Sequence, residues 1–514
     1  MNGVDEPEDP VRRLSTGSPG LDTVLNGGWI HGGTYMVSGP PGTGKTILGN
    51  QLCFSHVAGG GRAVFVTMLS ESHGRMMTHL RRMRFFQREF IGTSLHYVSG
   101  YATLKAEGLD GLARLLYRSV REHQASVLVV DGMLAVQESA GTALAFREFL
   151  HALGVHNALA GCTTLVLTNR HELASDPQFA MVDGVLVLEL QRWGLKAVRT
   201  LEVTKLRGEA QLTGQHTFEI NTQGLVIYPR LESLYPTPPE EAQEPGLPAA
   251  ARRRGFGLPR LDQMLTGGLP ALSSTLLLGS PGSSKTLLGL HFLAQGAQQA
   301  EAGLYYGFME TRPRLLAKAD GVGLALRPAV DSGRLVLETH AAVEALPDMH
   351  AHALLARVER HQVRRLVLDG LGSFLLQSME PRRTLDFITA LTNALRSRGV
   401  TSLLVQSTQE LPGLPLDLKL RGLESLVDNV VLLRCVELRS QLYRMLSILK
   451  MRESDYESAL REFSISTRGI HLAEDSSSAE AILTGKARPT RARPPPPRRS
   501  SPSTRTPPRR RSRA

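Results

Sequence analysis

The stretch GPPGTGKT at residues 39–46 carries the clearest chemistry in the chain. It fits G-x-x-x-x-G-K-[ST] in full, after an apolar strand and at the start of a helix. Such a loop grips phosphate for physical reasons. Gly39, Gly42 and Gly44, with Pro40, Pro41 and Thr43 between them, let backbone N–H groups curl around phosphate oxygens, and the helix N-terminus adds a favourable field. The Lys45 ammonium reaches the β and γ phosphates, and the Thr46 hydroxyl ligates magnesium. Asp131 ends a later apolar strand, where a carboxylate can hold the magnesium shell through water. The expected ligand is ATP with Mg2+ on Thr46 and Asp131.

The same chemistry recurs. Leu21-Asp22 before Gly27-Gly28 returns as Leu261-Asp262 before Gly267-Gly268, and the loop returns as GSPGSSKT. LVVDG, containing Asp131, returns as LVLDG, containing Asp369, and LEVTKLRG returns as LSILKMRE, so that Lys205 matches Lys450. Four landmarks in one order at nearly one spacing indicate duplication. The second loop is Gly279, Ser280, Pro281, Gly282, Ser283, Ser284, Lys285 and Thr286. Ser284 stands where the motif has its second glycine. If that position requires a positive φ, serine costs up to about 1–2 kcal/mol; if φ is negative it is harmless. The second copy is expected to bind nucleotide with weaker or altered affinity, with Thr286 and Asp369 on the metal.

Elements that position these residues follow from the hydrophobic pattern. In the first copy strands are expected at 34–38, 63–67, 127–130, 164–168 and 185–190, and helices over 45–56, 72–84, 109–123 and 142–159. Strand–helix alternation with apolar strands gives an α/β fold whose sheet is mainly parallel and covered on both faces. Residues 198–205 and 217–228 read as antiparallel strands added to it. Two tandem domains at 11–232 and 252–472 are expected, joined by a proline-rich linker at 233–251 and followed by a disordered Pro/Arg-rich tail at 473–514.

Composition sets the outer limits. The 514 residues exceed one typical core, and 42% hydrophobic with 21% charged is ordinary for a globular protein. No apolar run has the length of a membrane span, and the three cysteines form no CxxC pair, so a reducing cytoplasm is expected, with no membrane association. The formal net charge of +11 is matched by eleven Lys and Arg after Gly485, with no acid among them. Basicity therefore belongs to the tail, which could attract nucleic acid by counterion release.

Two tandem P-loop modules, each preceded by LD…GG and each ending in K-x-R, resemble the KaiC family of tandem-domain ATPases, and more broadly the RecA/RadA-like ATPases. The resemblance spans about residues 11–472, most specifically LDTVLNGGWIHGGTYMVSGPPGTGKT and TLEVTKLRG. It implies paired RecA-like domains, ATP hydrolysis, and a homo-hexamer in two rings with nucleotide held between subunits. It implies that Lys205 and Arg207, and Lys450 and Arg452, reach a neighbour's ATP; two residues apart on a strand, each pair would share a face. The family places two adjacent glutamates after the second strand. Here only Glu71 is present in copy one, beside Ser70, and only Glu310 in copy two, beside Met309. One carboxylate can still serve as base. The family also autophosphorylates adjacent Ser and Thr in its second domain; the matching positions are Glu424 and Ser425, which leaves Ser425 as the candidate phosphoacceptor for a serine/threonine autokinase activity.

Two other functions fit parts of the sequence. A RadA-like DNA-dependent ATPase or recombinase would use the basic tail as anchor, although the body is net neutral and has no helix-turn-helix or zinc knuckle. A nucleotide-switched scaffold for a signalling protein partner would need little turnover, consistent with the missing glutamates.

Overall fold

The computed structural model describes residues 12–68, 73–169, 177–193, 196–238, 252–341, 346–372, 383–408, 422–438, 440–452 and 454–483. Glu71, most of the linker and the basic tail lie outside them.

In the first domain the strands are β1 (Arg13–Leu14), β2 (Trp29–Ile30), β3 (Thr34–Ser38), β4 (Ala63–Thr67), β5 (Leu95–Ser99), β6 (Val127–Asp131), β7 (Thr163–Thr168), β8 (Gly184–Trp193), β9 (Lys196–Leu206), β10 (His216–Asn221) and β11 (Gly224–Tyr228). One nine-stranded sheet has the order β11-β10-β9-β8-β3-β7-β6-β4-β5. Neighbours from β8 to β5 are parallel. Those from β8 out to β11 are antiparallel. Every residue of β3, β4, β6 and β7 is buried, as helices on both faces require. Alternation sends Phe65, Val127 and Val129 into the core beneath the P-loop helix Lys45–Ala58, and Val64, Val66, Leu128 and Val130 into the core on the opposite face.

The second domain repeats the plan with β12 (Arg253–Arg254), β13 (Leu269–Pro270), β14 (Ser274–Gly279), β15 (Gly303–Gly307), β16 (Leu335–Thr339), β17 (Arg365–Asp369), β18 (Thr401–Ser407), β19 (Asn429–Leu438), β20 (Gln441–Met451), β21 (Arg461–Ser466) and β22 (Gly469–Leu472). Its sheet order, β16-β15-β17-β18-β14-β19-β20-β21-β22, matches the first strand for strand. The repeated LD…GG turn is the same device in both. Asp22 accepts from the Thr16 amide at 2.7 Å, and Asp262 accepts from the Phe256 amide at 2.6 Å. The turn needs glycine: Gly28 has φ +107°, and a Cβ there would stand 2.4 Å from the Leu14 carbonyl oxygen.

Several sequence expectations need correction. Edge strand β5 lies outside the strands expected for the first copy. The helix expected over 109–123 spans Tyr101–Glu122, with a break at Gly108 (φ 64°). The helix expected over 72–84 is His73–Leu80. Residues 477–483, placed in the disordered tail, form a helix whose Ala479 and Ile482 are buried against Met445. These apolar residues precede the Pro/Arg-rich composition, which is why they can fold. At the linker, a short helix Leu231–Leu234 docks on the second domain: Leu231 lies in that domain's core, and Tyr235 packs beside it. Arg383 donates to Glu232 at 2.5 Å and to Asp348 at 2.6 Å, while Arg398 donates to the Tyr235 hydroxyl at 2.8 Å. Burial alone would raise the Glu232 carboxyl, but the Arg383 guanidinium brings it below its ordinary value.

Candidate nucleotide site

Each P-loop leaves the C-terminal end of the central strand, β3 or β14, and enters a helix. Thr43 Oγ1 donates to the Pro40 carbonyl at 2.8 Å, closing the turn. Gly42 and Gly44 have φ of 84° and 100°. Lys45 Nζ donates to the carbonyls of Gly39 (2.7 Å) and Pro40 (2.9 Å). Burial lowers its pKa, with the Asp131 carboxylate pulling the other way. The described acceptors of this buried cation are neutral, so an anionic phosphate fits the cradle electrostatically. Thr46 Oγ1 donates to Asp131 Oδ2 at 2.7 Å. Burial raises the Asp131 carboxyl, which the Thr46 hydrogen bond partly offsets. A hydroxyl and a carboxylate joined in this way are the donor set a hard divalent cation takes, one directly and one through water.

The second site repeats this geometry. Lys285 Nζ donates to the carbonyls of Gly279 and Ser280, each at 2.8 Å, and Thr286 Oγ1 donates to Asp369 Oδ2 at 2.7 Å. Ser284 has φ 73° and ψ 25°, so the conditional penalty raised by the sequence applies. Asp369 differs from Asp131 in one respect the sequence reading missed: the Tyr305 hydroxyl donates to it at 2.8 Å. Glu310 pairs with Lys318, and Met309 beside it is exposed.

The two members of each K-x-R pair sit in different surroundings. Lys205 Nζ donates to the carbonyls of Phe179 (2.7 Å), Ala180 (3.3 Å) and Val182 (2.6 Å), at the end of the 3-10 helix Pro177–Met181. Lys450 Nζ takes the carbonyls of Glu424 (3.0 Å), Ser425 (3.4 Å) and Val427 (2.7 Å), at the end of the helix Leu423–Leu426. Three carbonyls satisfy the three protons of an ammonium. Burial, and then the adjacent Arg207 or Arg452, lowers both lysines. The arginines are different: Arg207 and Arg452 have side chains 61% and 54% exposed. Arg207 lies past the end of β9, not on the strand as expected, and a register shift precedes Lys205. Even so, both members of the pair reach the Ala180 carbonyl, so they share a side. Ser425 Oγ donates to the Gly422 carbonyl at 2.6 Å and is exposed.

Comparison with known proteins places the chain in a family. A family model described as "ATPase: KaiC" matches residues 14–232 and again 255–477. This chain belongs to the KaiC ATPase family. The circadian clock oscillator protein KaiC 1 of Synechocystis sp. is 25% identical over 503 residues, covering 95% of this chain and 94% of that protein. KaiC of Rippkaea orientalis is 24% identical over 493 residues, with coverage of 94% and 92%. KaiC3 of Synechocystis sp. is 24% identical over 497 residues. The tandem α/β domains are those of this family. Among the described residues, no helix is long and apolar enough to cross a membrane, and no cluster of His, Cys, Asp and Glu could hold a metal by itself.

Proposed function

We propose that this protein binds Mg-ATP in both P-loops and hydrolyses it at the interfaces of a hexamer, with the first domain the stronger site. The observation that carries this reading is the Thr46–Asp131 hydrogen bond beside a buried Lys45 whose described acceptors are neutral. Magnesium bound with the nucleotide would neutralise charge on the phosphate oxygens. The chain supplies the rest. Loop amides and Lys45 hold the phosphates, Thr46 and Asp131 hold the metal and its water, and Glu71 or Glu310 takes the proton of the attacking water. Arg207 and Arg452, with exposed guanidinium groups, are the residues to reach a neighbour's γ phosphate. Lys205 and Lys450 support them by holding the adjoining turn.

Autokinase activity in the second domain rests on the exposed Ser425 hydroxyl, with Glu424 as a fixed charge at the neighbouring acceptor position. A switch with little turnover draws support from Glu310, which is paired with Lys318.

Phosphate release and intact mass, measured on the purified protein with Mg-ATP, test these readings together. Lys45→Ala is expected to remove the larger share of turnover and Lys285→Ala the smaller. Wild-type turnover in both variants would sink the P-loop reading. ATP-dependent assembly without phosphate release would favour the switch. A mass gain that Ser425→Ala abolishes would mark the autokinase.

A further inference from the structure

The two repeats hold their metal-site aspartates differently. On β4, Phe65 pairs in register with Val129, two residues before Asp131. At the same register position on β15, Tyr305 pairs with Val367, two residues before Asp369. Both rings are fully buried in the core beneath the P-loop helix. Phe65 offers Asp131 nothing polar. Tyr305 ends in a hydroxyl that donates to Asp369 Oδ2 at 2.8 Å, the same oxygen that accepts Thr286 Oγ1 at 2.7 Å.

A carboxylate oxygen has two lone pairs. On Asp369 Oδ2 both are occupied, one by the residue that would ligate magnesium and one by a phenol fixed in a packed core. Only Oδ1 remains to accept from metal-bound water. Asp131 accepts from the Thr46 hydroxyl on Oδ2 and from the Gly132 backbone, a neighbour fixed by the chain itself, with no phenol on the carboxylate. A hydrogen bond from a neutral donor also stabilises the ionised carboxylate and makes it less basic, weakening its pull on a cation's water shell. The phenol has no reason to leave, since an unpaired buried hydroxyl is costly.

We propose that Tyr305 is a positioning residue that raises the magnesium concentration the second domain needs to hold its nucleotide, so the two domains fill with Mg-nucleotide at different magnesium levels. This rests on the Mg-nucleotide reading of the P-loops. Phe65 is the reference state for the effect, and exchange of the two residues should move it between domains.

The test uses the full chain and a fluorescent ADP analogue titrated with Mg2+. Lys45→Ala isolates the second site, and Lys285→Ala isolates the first. In the first background, Tyr305→Phe is expected to lower the Mg2+ midpoint about three- to tenfold, the net worth of one ordinary hydrogen bond. Analogue binding in EDTA should stay unchanged. In the second background, Phe65→Tyr is expected to raise the midpoint. A midpoint that is unchanged or higher in Tyr305→Phe, with the analogue still bound, overturns the inference alone. No binding of the analogue by either background, with or without Mg2+, overturns the P-loop reading and this inference with it. A general loss of packing would shift binding in EDTA and Mg2+ alike, which separates it from the expected result.

Discussion

Ser284 shows what a single backbone angle does to a repeated site. Its counterpart Gly44 takes φ 100° at no steric expense, whereas Ser284 takes φ 73° with a Cβ in place. The left-handed region disfavours an L side chain by about 1–2 kcal/mol. Ser284→Gly should therefore tighten nucleotide binding to the second domain severalfold. Gly44→Ser should weaken the first domain by a similar amount, because a Cβ there meets the same positive φ and otherwise only the end of the Ile220 side chain, which can give way. Binding titrations in the two lysine backgrounds measure both; equal affinities before and after the exchange would discard the strain argument. The sequence made the loop legible because its residue types are themselves the phosphate chemistry. It left Ser284 open because the residue type alone does not say which sign of φ the loop imposes there. Tyr305 was invisible for another reason: a tyrosine within an apolar strand reads as core, and only the fold shows where its hydroxyl ends.

At the scale of elements, each K-x-R lysine acts as a clamp. Lys205 gathers the last carbonyls of Pro177–Met181, and Lys450 those of Leu423–Leu426, where a cation also meets the negative end of the helix. Removing the ammonium would leave three carbonyls short of a donor, a loss of about 1–3 kcal/mol. Lys205→Ala is thus expected to lower the melting temperature of the protomer. Arg207→Ala should leave it unchanged and reduce ATP turnover only. Thermal melts beside phosphate release separate the two, and a stability loss in Arg207→Ala matching that of Lys205→Ala would contradict the division. The central strands were legible because β3, β4 and β6 are apolar at most positions and β7 carries Leu165, Val166 and Leu167 in a row. Edge strand β5 was not: its residues after Leu95 are only partly buried or exposed, and His96 and Tyr97 break the apolar signal. The helix break at Gly108 is not legible in the sequence because an isolated glycine within a helical pattern does not announce a positive φ.

Across the whole molecule the duplication preserves topology while the second domain gains titratable groups in its interior. Burial, and then neighbouring histidines, hold His291 and His350 down at about 4. A histidine whose folded pKa lies below its unfolded value of about 6.5 binds its proton first in the unfolded chain. Stability is therefore intact above about 6.5 and falls as pH drops toward 4, by at most about 1.4 kcal/mol per pH unit for each histidine. Denaturation at pH 7.5 and pH 5 should show this loss, and it should shrink in a His291→Gln/His350→Gln variant; equal acid sensitivity in both proteins would count against it. The boundary between the domains was legible as a change in composition, but its mechanics were not, because Leu231 looks like the end of the first domain. Its side chain is 0% exposed and belongs to the second domain's core, flanked by the Arg383–Glu232 pair. Leu231 is thus a plug in its neighbour's wall. A second domain produced from residue 252 onward would carry an open socket where Leu231 sits and should be less stable, by about 2–5 kcal/mol, than one begun early enough to include it.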